Sequence, residues 1–255
     1  MNRNFWILIA LILTFTALDV SGQRWKLRRY EVDLSVGLVT FHGDIGLANK
    51  HFMNNFNGMR PSFGLTPRFK IAKDMAVSLD LSYLMYGGTD EVGSSHGRNY
   101  SFNSHAFQHF VRFEYFLLGE VGGLGGGIYN RRGMVNNYNR VYLYIFAGAG
   151  GILSSAKVSD LNNNGEEPVD NPGYYPGVQY GFGFPLGGGL KFSIDPRWSV
   201  GAELGYQFTT TDKLDGYAPE DVSKYNDSYY LLTIKAVYRL RNDKNGRPIF
   251  NKYYR

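Results

Sequence analysis

Three polar side chains in one short stretch are the best candidates for catalysis. Ser104 and His105 are adjacent, and His109 follows four positions later. In an extended strand the two imidazoles would lie on one face about 13 Å apart, too far to bind one metal ion together. A serine beside a histidine suggests a lipid hydrolase, but no motif supports a serine, histidine and acid arrangement. The sequence therefore predicts a protein that is not an enzyme.

A polar run further along the chain has part of the pattern of a calcium-binding loop. Asp160, Asn162, Asn164 and Gly165 fill the first, third, fifth and sixth positions of such a loop. The twelfth position, which requires a bidentate carboxylate, holds Asn171. We interpret this run as a polar loop and predict no metal or cofactor, although Glu166, Glu167 and Asp170 leave an irregular calcium site as an alternative.

The composition excludes several other kinds of chemistry. The chain has no cysteine, which excludes disulfides, thiolate nucleophiles and cysteine-based metal sites. The net charge of +5 is mild, and no Lys/Arg run interleaved with aromatic residues indicates nucleic-acid binding. The 32 glycines, 20 tyrosines and 18 phenylalanines favour twisted strands and membrane interfaces over helices.

The first residues have the form of a secretory signal peptide. Arg3 supplies the positive charge, and Phe5–Leu18 is apolar apart from two threonines. Val20 and Gly22 are small enough for the −3 and −1 positions, so residues 1–22 are predicted to be cleaved. An uncleaved anchor helix is the alternative, but the apolar run is shorter than the roughly 20 residues that span a bilayer.

The elements that must position any functional side chain are strands. From Tyr30 onward, apolar and polar residues alternate with period 2 in eight stretches. The predicted strands are Tyr30–Leu38, Phe63–Ile71, Val77–Met85, Phe107–Tyr115, Val141–Gly148, Tyr180–Phe192, Trp198–Phe208 and Tyr230–Arg239.

Short and long connections alternate along the chain. Residues 72–74 and 195–197 are compact turns, whereas residues 42–60, 87–99, 154–178 and 210–227 form long polar links. Short periplasmic turns and long extracellular loops are typical of a membrane barrel. The link Leu118–Asn139 departs from this rule, because it lies on the short-turn side but is long, Gly-rich and basic near Arg131 and Arg132.

The sequence therefore predicts an all-β fold, an eight-stranded antiparallel up-and-down transmembrane β-barrel over residues 23–240. A soluble β-sandwich is the alternative, since its strands also alternate. Two observations favour the barrel. The apolar faces are rich in Phe, Tyr, Leu and Val on all eight strands, and the polar faces combine charges with many glycines.

If the apolar faces meet lipid, the charged side chains of the barrel strands point into the lumen. The predicted lumen network is Glu31, Asp33, Arg68, Lys70, Asp80, Arg112, Glu114, Lys191, Glu203, Lys235 and Arg239. Five acids and six bases nearly balance, and buried charges are costly unless they pair. An eight-stranded barrel is just wide enough to be filled by side chains, so we expect a salt-bridged plug, with a solute pore as the alternative.

Two further features concern the ends of the barrel. Aromatic residues that fit interface girdles are Tyr30, Tyr115, Trp198, Tyr229, Tyr230 and Tyr238. Residues 241–255 form a basic tail that an even strand number leaves in the periplasm. Arg241, Lys244 and Arg247 there, like Arg131 and Arg132, are candidates for binding an acidic partner or anionic headgroups, and a solvated disordered tail is the alternative.

Ten short stretches, in order and spacing, resemble one known family. They are Gln23–Lys26, Tyr30–Val32, Phe41–Gly46, Arg60–Phe63, Arg68–Lys70, Asn99–Phe102, Arg112–Phe116, Phe146–Gly151, Pro185–Gly189 and Trp198–Gly201. These stretches resemble the PorG-like outer-membrane barrels of Bacteroidetes over about residues 25–241. The Gly-rich link Leu118–Asn139 departs from the family, in which this connection is more basic.

This resemblance implies a location and a role. It implies a non-enzymatic barrel in the outer membrane of a Gram-negative, Bacteroidetes-like bacterium, surrounded by outer-membrane lipid. It also implies an association with the type IX secretion and gliding machinery, through a periplasmic ring built from a lipoprotein and its partner. The alternative is a structural or adhesive barrel of OmpA-like type that binds an external ligand through its extracellular loops.

Overall fold

The computed structural model describes residues 29–43, 45, 59–72, 74–90, 99–117, 128–130, 133–135, 141–169, 171, 173–194, 197–219, 226–240 and 248. The predicted signal peptide of residues 1–22 lies outside these residues. So do Arg131, Arg132, Arg241, Lys244 and Arg247, and all of the predicted tail except residue 248. Their predicted roles remain predictions.

The described residues form ten strands. They are β1 (Tyr30–His42), β2 (Arg60–Lys70), β3 (Met75–Thr89), β4 (Tyr100–Phe116), β5 (Ile128–Asn130), β6 (Gly133–Val135), β7 (Val141–Asp160), β8 (Val178–Ser193), β9 (Trp198–Thr209) and β10 (Ser228–Arg239). All except β5 and β6 form one closed antiparallel barrel, in which β1 pairs with both β2 and β10. The predicted fold and all eight predicted strands are confirmed. The link Leu118–Asn139 contains the hairpin of β5 and β6.

The barrel is strongly staggered. Following the register from Glu31 through each neighbouring strand in turn leads back to β1 at Phe41, ten residues further along. Such a stagger requires tilted strands and fixes the radius of an eight-stranded barrel at a size that side chains can fill. At one end the strands are joined tightly, as shown by the hydrogen bonds from Ile71 N–H to Met75 O and from Ile194 N–H to Trp198 O, both 3.0 Å.

The two faces of the barrel strands differ in the way that the alternation predicts. Large apolar side chains are exposed on the outside of each of the eight barrel strands, including Leu34, Phe182 and Ile234, which is 65% exposed. Soluble monomers rarely expose a continuous apolar surface of this size, whereas a barrel in hydrocarbon requires one. Among the described residues, no helix is long and apolar enough to cross a membrane.

Three strands are longer than the alternation indicates. β3 continues to Thr89 and β7 to Asp160, so both extend into stretches predicted as links, and β4 begins seven residues before Phe107. In these extensions the polarity of the faces is reversed. The outside carries polar residues such as Asn103 and Lys157, and the inside carries apolar residues such as Phe102. The three strands therefore rise as a wall at the end of the barrel that carries the long links.

Candidate functional site

The lumen of the barrel holds a buried network of charged side chains. The structure brings all eleven charged residues of the predicted network together inside the barrel, each at most 4% exposed. They come from seven of the eight barrel strands, all except β7. On these strands the charged residues lie mainly at the end joined by the tight turns. The network therefore occupies that half of the barrel.

Glu31 on β1 is the centre of the first ionic cluster. Its carboxylate oxygens lie 2.9 Å from Lys70 Nζ, 3.0 Å from Lys191 Nζ, 2.9 Å from Arg239 Nε and 3.0 Å from Arg68 Nη1. The four cations belong to β2, β8 and β10. One carboxylate on the first strand thus connects both neighbouring strands and a strand on the far wall of the lumen.

Arg68 on β2 organises the second cluster. In addition to Glu31, its guanidinium contacts Asp33 Oδ2 at 2.8 Å and Glu114 Oε2 at 2.6 Å. The Ser78 hydroxyl donates a hydrogen bond of 2.6 Å to the other oxygen of Glu114. Three carboxylates therefore surround one guanidinium, whose planar fork of donors suits such an arrangement.

Glu203 on β9 forms the third cluster. It lies 2.7 Å from Arg112 Nη1 and 2.6 Å from Lys235 Nζ, and it accepts a hydrogen bond of 2.8 Å from the Tyr144 hydroxyl. Arg112 Nη1 is 3.7 Å from Asp80 Oδ2 and so connects this cluster to Asp80.

Asp80 on β3 ends the network on the side of the long links. Its carboxylate accepts hydrogen bonds from Gln108 Nε2 at 2.8 Å and from the Ser82 hydroxyl at 2.7 Å. The Tyr229 hydroxyl in turn donates to Gln108 Oε1 at 2.7 Å. Hydrogen bonds from neutral side chains thus take the place of most ion pairs where the lumen changes from charged to apolar.

Aromatic rings and glycines share the remaining space beside the charges. Phe146 lies under the Arg112 guanidinium, with 4.6 Å between Cζ and the ring centroid, and Lys191 Nζ lies 5.2 Å from the ring centroid of Phe116. Such cation–π contacts stabilise cations that have left water. A Cβ at Gly187 would lie 2.5 Å from the Phe146 ring, so the ring needs glycine on the facing strand.

The half of the lumen nearest the long links is apolar. Its inward side chains form one buried cluster of Val39, Ile45, Leu84, Tyr86, Tyr100, Phe102, Ala106, Ile152, Val158, Leu214, Tyr217, Tyr229 and Leu231. Leu214 belongs to the link between β9 and β10 and is fully buried. Its carbonyl accepts a hydrogen bond from Ser154 Oγ at 2.8 Å, and its N–H donates to Asp227 Oδ2 at 2.8 Å. This link therefore folds into the barrel mouth.

The link between β7 and β8 packs on that insertion. Tyr175 N–H donates to Gly216 O at 2.9 Å, and Ala218 N–H donates to Gly173 O at 2.8 Å. Tyr174 donates a hydrogen bond of 2.9 Å to Glu167. Partial burial and this carboxylate raise the pKa of Tyr174 to about 12, which keeps its hydroxyl protonated. We call residues 161–169, 171, 173–177 and 211–219 the outer cap.

A filled lumen has a measurable consequence. Ionic clusters occupy one half of the barrel, and apolar side chains with the outer cap occupy the other. We expect the refolded protein, reconstituted into planar bilayers, to show no lasting solute-sized conductance, because eight strands leave no channel once these side chains are packed. A sixteen-stranded porin serves as the positive control. A steady open state comparable with that of the porin would contradict the plug.

The residues considered for lipid hydrolysis do not meet. Ser104 points into the lumen, where its hydroxyl lies 2.8 Å from Ser154 Oγ. His105 lies on the outer face, with Nδ1 2.8 Å from the Tyr83 hydroxyl. Adjacent residues of a strand point to opposite faces, so this serine cannot use this histidine as a base.

The calcium-like run is a tight turn. Asp160 Oδ1 accepts a hydrogen bond of 3.0 Å from Asn162 N–H, and Asn164 and Gly165 have positive φ angles. In the described part of the chain, no three His, Cys, Asp or Glu residues are placed to hold a metal ion. Asp170, which belongs to the irregular calcium alternative, lies outside that part.

The sequence did not single out the neutral members of the network. Ser78, Gln108 and the hydroxyl of Tyr144 donate hydrogen bonds to carboxylates of the network. The only sequence signal for this role is that each lies at an inward-facing position of its strand. One prediction was wrong. Tyr229 is not an interface residue but is fully buried in the lumen, because it lies one position away from the outward Tyr230.

No model of a known protein family matches the chain, and no curated protein matches it significantly in sequence. A search of solved structures finds similar outer-membrane proteins. The attachment invasion locus protein Ail of Yersinia pestis, in complex with the heparin analogue sucrose octasulfate, is 16% identical with a TM-score of 0.41, over 83% of this chain and 99% of Ail.

Two further structures extend this comparison. A major outer membrane protein from Thermus thermophilus is 14% identical with a TM-score of 0.44, over 82% of this chain and 99% of that protein. The outer membrane enzyme PagL is 16% identical with a TM-score of 0.35, over 82% of this chain and 98% of PagL. At this level of similarity, the ligand of Ail and the activity of PagL say nothing about this chain.

Proposed function

We propose that this protein is a non-enzymatic barrel of the outer membrane of a Gram-negative, Bacteroidetes-like bacterium. Its role is that of a component or anchor of the type IX secretion machinery, in contact with periplasmic ring proteins. The observation that carries this proposal is the filled lumen, since a barrel that is closed by its own side chains works through its surfaces.

The position of aromatic residues on the outer surface supports residence in a membrane. Trp198 and Tyr238 form one pair at the end with the tight turns, with ring centroids 4.8 Å apart. Tyr206 and Tyr230 form another pair towards the long links, at 4.5 Å. The two aromatic residues on each strand, β9 or β10, are eight residues apart. In a tilted barrel this spacing corresponds to about 20 Å along the axis, close to the roughly 25 Å apolar band of such proteins.

Support for the secretion role comes from the ordered stretches that resemble the PorG-like family. Several of these stretches contain residues that the lumen requires. Arg68 pairs with carboxylates of the ionic network, and Gly187 leaves room for the Phe146 ring. The surfaces available to a periplasmic ring lipoprotein and its partner are the turns, the link Leu118–Asn139 and the basic tail. The tail follows Leu240, whose N–H donates to Tyr30 O at 2.9 Å and ends the barrel.

A second candidate function, binding of an external ligand, is favoured by the outer cap. The two links of the cap are joined by backbone hydrogen bonds and by Asn171, whose side-chain nitrogen donates to the Tyr217 hydroxyl at 3.4 Å. Ordered, Tyr- and Asn-rich loops on a rigid scaffold are a common form of binding surface.

A reciprocal pair of variants tests the two functions. One variant ends after Leu240 and lacks the tail, and the other replaces residues 161–177 with a short turn. We expect the unaltered barrel, crosslinked in its own membrane and gently extracted, to recover the ring proteins. The tail-less variant should recover at least several-fold less, since it has lost the basic residues, and the shortened-link variant should recover the same amount.

Two outcomes would contradict the secretion role. One is that crosslinking recovers no ring protein with any variant, although the barrel is folded in the membrane. The other is that shortening residues 161–177, rather than removing the tail, abolishes the cellular phenotype. The latter result would favour binding of an external ligand.

A further inference from the structure

Above the apolar band, four polar side chains form a block on the outer wall of β4 and β7. Asn103 lies directly opposite Lys157, and His105 lies directly opposite Ser155. All four side chains are exposed on the outer face. Directly opposed residues have Cβ atoms about 4.5–5.5 Å apart, so the four can contact one small group together. We call them the outer-wall quartet.

The quartet follows immediately on lipid-facing side chains. The next outward pair towards the tight turns is Phe107 opposite Leu153, both at least 40% exposed. A group bound by the quartet therefore lies just beyond the hydrocarbon. In a bilayer, this is the level of the headgroups of the leaflet on the side of the long links.

The quartet is equipped to donate hydrogen bonds. The Tyr83 hydroxyl lies 2.8 Å from His105 Nδ1. Where Nδ1 accepts a hydrogen bond from the Tyr83 hydroxyl, the single proton of the neutral ring lies on Nε2, which is then an N–H donor. The Lys157 ammonium, the Asn103 amide and the Ser155 hydroxyl supply further donors. Tyr83 thus fixes the orientation of the imidazole.

Charge and access both suit an anion. On the outward positions 101–107 of β4 and 153–159 of β7 the only formal charge is that of Lys157, and no carboxylate is present. On the β3 side, Asn103 faces Gly87, which has no side chain to cover the quartet. A Cβ at Gly87 would lie 2.6 Å from Phe102 O and 3.0 Å from Asn103 Oδ1, so the position is restricted to glycine.

We propose that the outer-wall quartet binds the phosphate of an outer-leaflet lipid whose acyl chains lie against Phe107 and Leu153. The inference rests on the proposed membrane residence and adds a specific lipid contact to it. Lys157 neutralises the phosphate, and His105 and Asn103 donate hydrogen bonds to its oxygens. Tyr83 is a positioning residue that acts through His105.

Native mass spectrometry of the full barrel, released from micelles containing bisphosphorylated lipid A, tests this site. We expect the unaltered protein to retain one lipid A. Lys157→Gln should lower this retention about fivefold, the factor that corresponds to about 1 kcal/mol for one cation near an anionic surface. Tyr83→Phe should give a smaller loss, since it frees the imidazole without removing a donor.

The matched control is Lys213→Gln. Lys213 is a cation at the same end of the barrel, but it lies over the Tyr175 ring in the outer cap. Its replacement should leave retention unchanged. Fully dephosphorylated lipid A should be retained as poorly by the unaltered protein as bisphosphorylated lipid A is by Lys157→Gln.

Two results would overturn the site. One is that Lys157→Gln and Lys213→Gln have the same effect on retention, and the other is that dephosphorylated lipid A is retained as well as the bisphosphorylated form. Insertion of the unaltered barrel into lipid nanodiscs is measured in parallel. Failure of insertion would refute the membrane residence itself, whereas insertion without phosphate-dependent retention would refute only the quartet.

Discussion

Replacing Glu31 with glutamine should destabilise the barrel by about 3–5 kcal/mol, the usual effect of removing one partner from a buried ion pair. Glutamine keeps the shape of the side chain but removes its charge. Arg68, Lys70, Lys191 and Arg239 then lose their shared carboxylate in a lumen where water cannot replace it. Urea unfolding of the protein in lipid vesicles measures the change in the free energy of unfolding.

Two controls separate the ionic cluster from a general effect of charge. Glu166→Gln in the exposed link after β7 should change stability by less than about 0.5 kcal/mol, as surface substitutions usually do. The double variant Glu31→Gln with Lys191→Gln should lose less than the sum of the two single variants, because one unpaired cation is removed with its partner. Strict additivity, or a stable Glu31→Gln protein, would show that the cluster does not hold the barrel together.

Replacing Gly187 with alanine should cost about 1–3 kcal/mol, the range for overpacking a filled interior. The added Cβ would lie 2.5 Å from the Phe146 ring and closer still to the carbonyl oxygen of Leu204, so both must move. Phe146 in turn lies under Arg112, which is paired with Glu203. The same urea titration measures the loss.

The neighbouring glycine provides a matched control. Gly188 lies on the outer face, where an added Cβ would be 3.2 Å from Tyr144 O and 3.8 Å from a methyl group of Ile145. Gly188→Ala is the same substitution one position along, and it should cost less than Gly187→Ala by at least about 1 kcal/mol. Equal losses would mean that strand propensity, rather than the crowded lumen, determines the effect.

Within the apolar band, the fold follows directly from the alternation of the sequence. The outside there is hydrocarbon, and the inside is a polar network, so Leu34 and Asp33 must point in opposite directions. The inward charges are therefore readable as a set from parity alone, and the structure places all eleven in one network. Their partners are not readable, because the stagger of ten residues decides which strands face each other across the lumen.

Above the band the same rule fails for a physical reason. Once β4 and β7 leave hydrocarbon, water lies outside, and the interior becomes the apolar side, as in a soluble barrel. Phe102 and Val158 then point inward while Asn103 and Lys157 point outward. A prediction that assigns apolar residues to the outside therefore ends the strand where the polarity of the two faces reverses, although β4 and β7 continue. Leu214 was missed for a related reason, since one apolar residue in a polar link gives no periodic signal.

The position of Glu31 has a consequence for the order of assembly. β1 and β10 are the first and last strands of the barrel, and Glu31 and Arg239 meet only when these two strands pair. A sheet of the other seven strands holds Lys70, Lys191 and Arg239 without the carboxylate that joins them. Because Glu31 neutralises these cations, pairing of β1 with β10 is favoured by charge as well as by backbone hydrogen bonds.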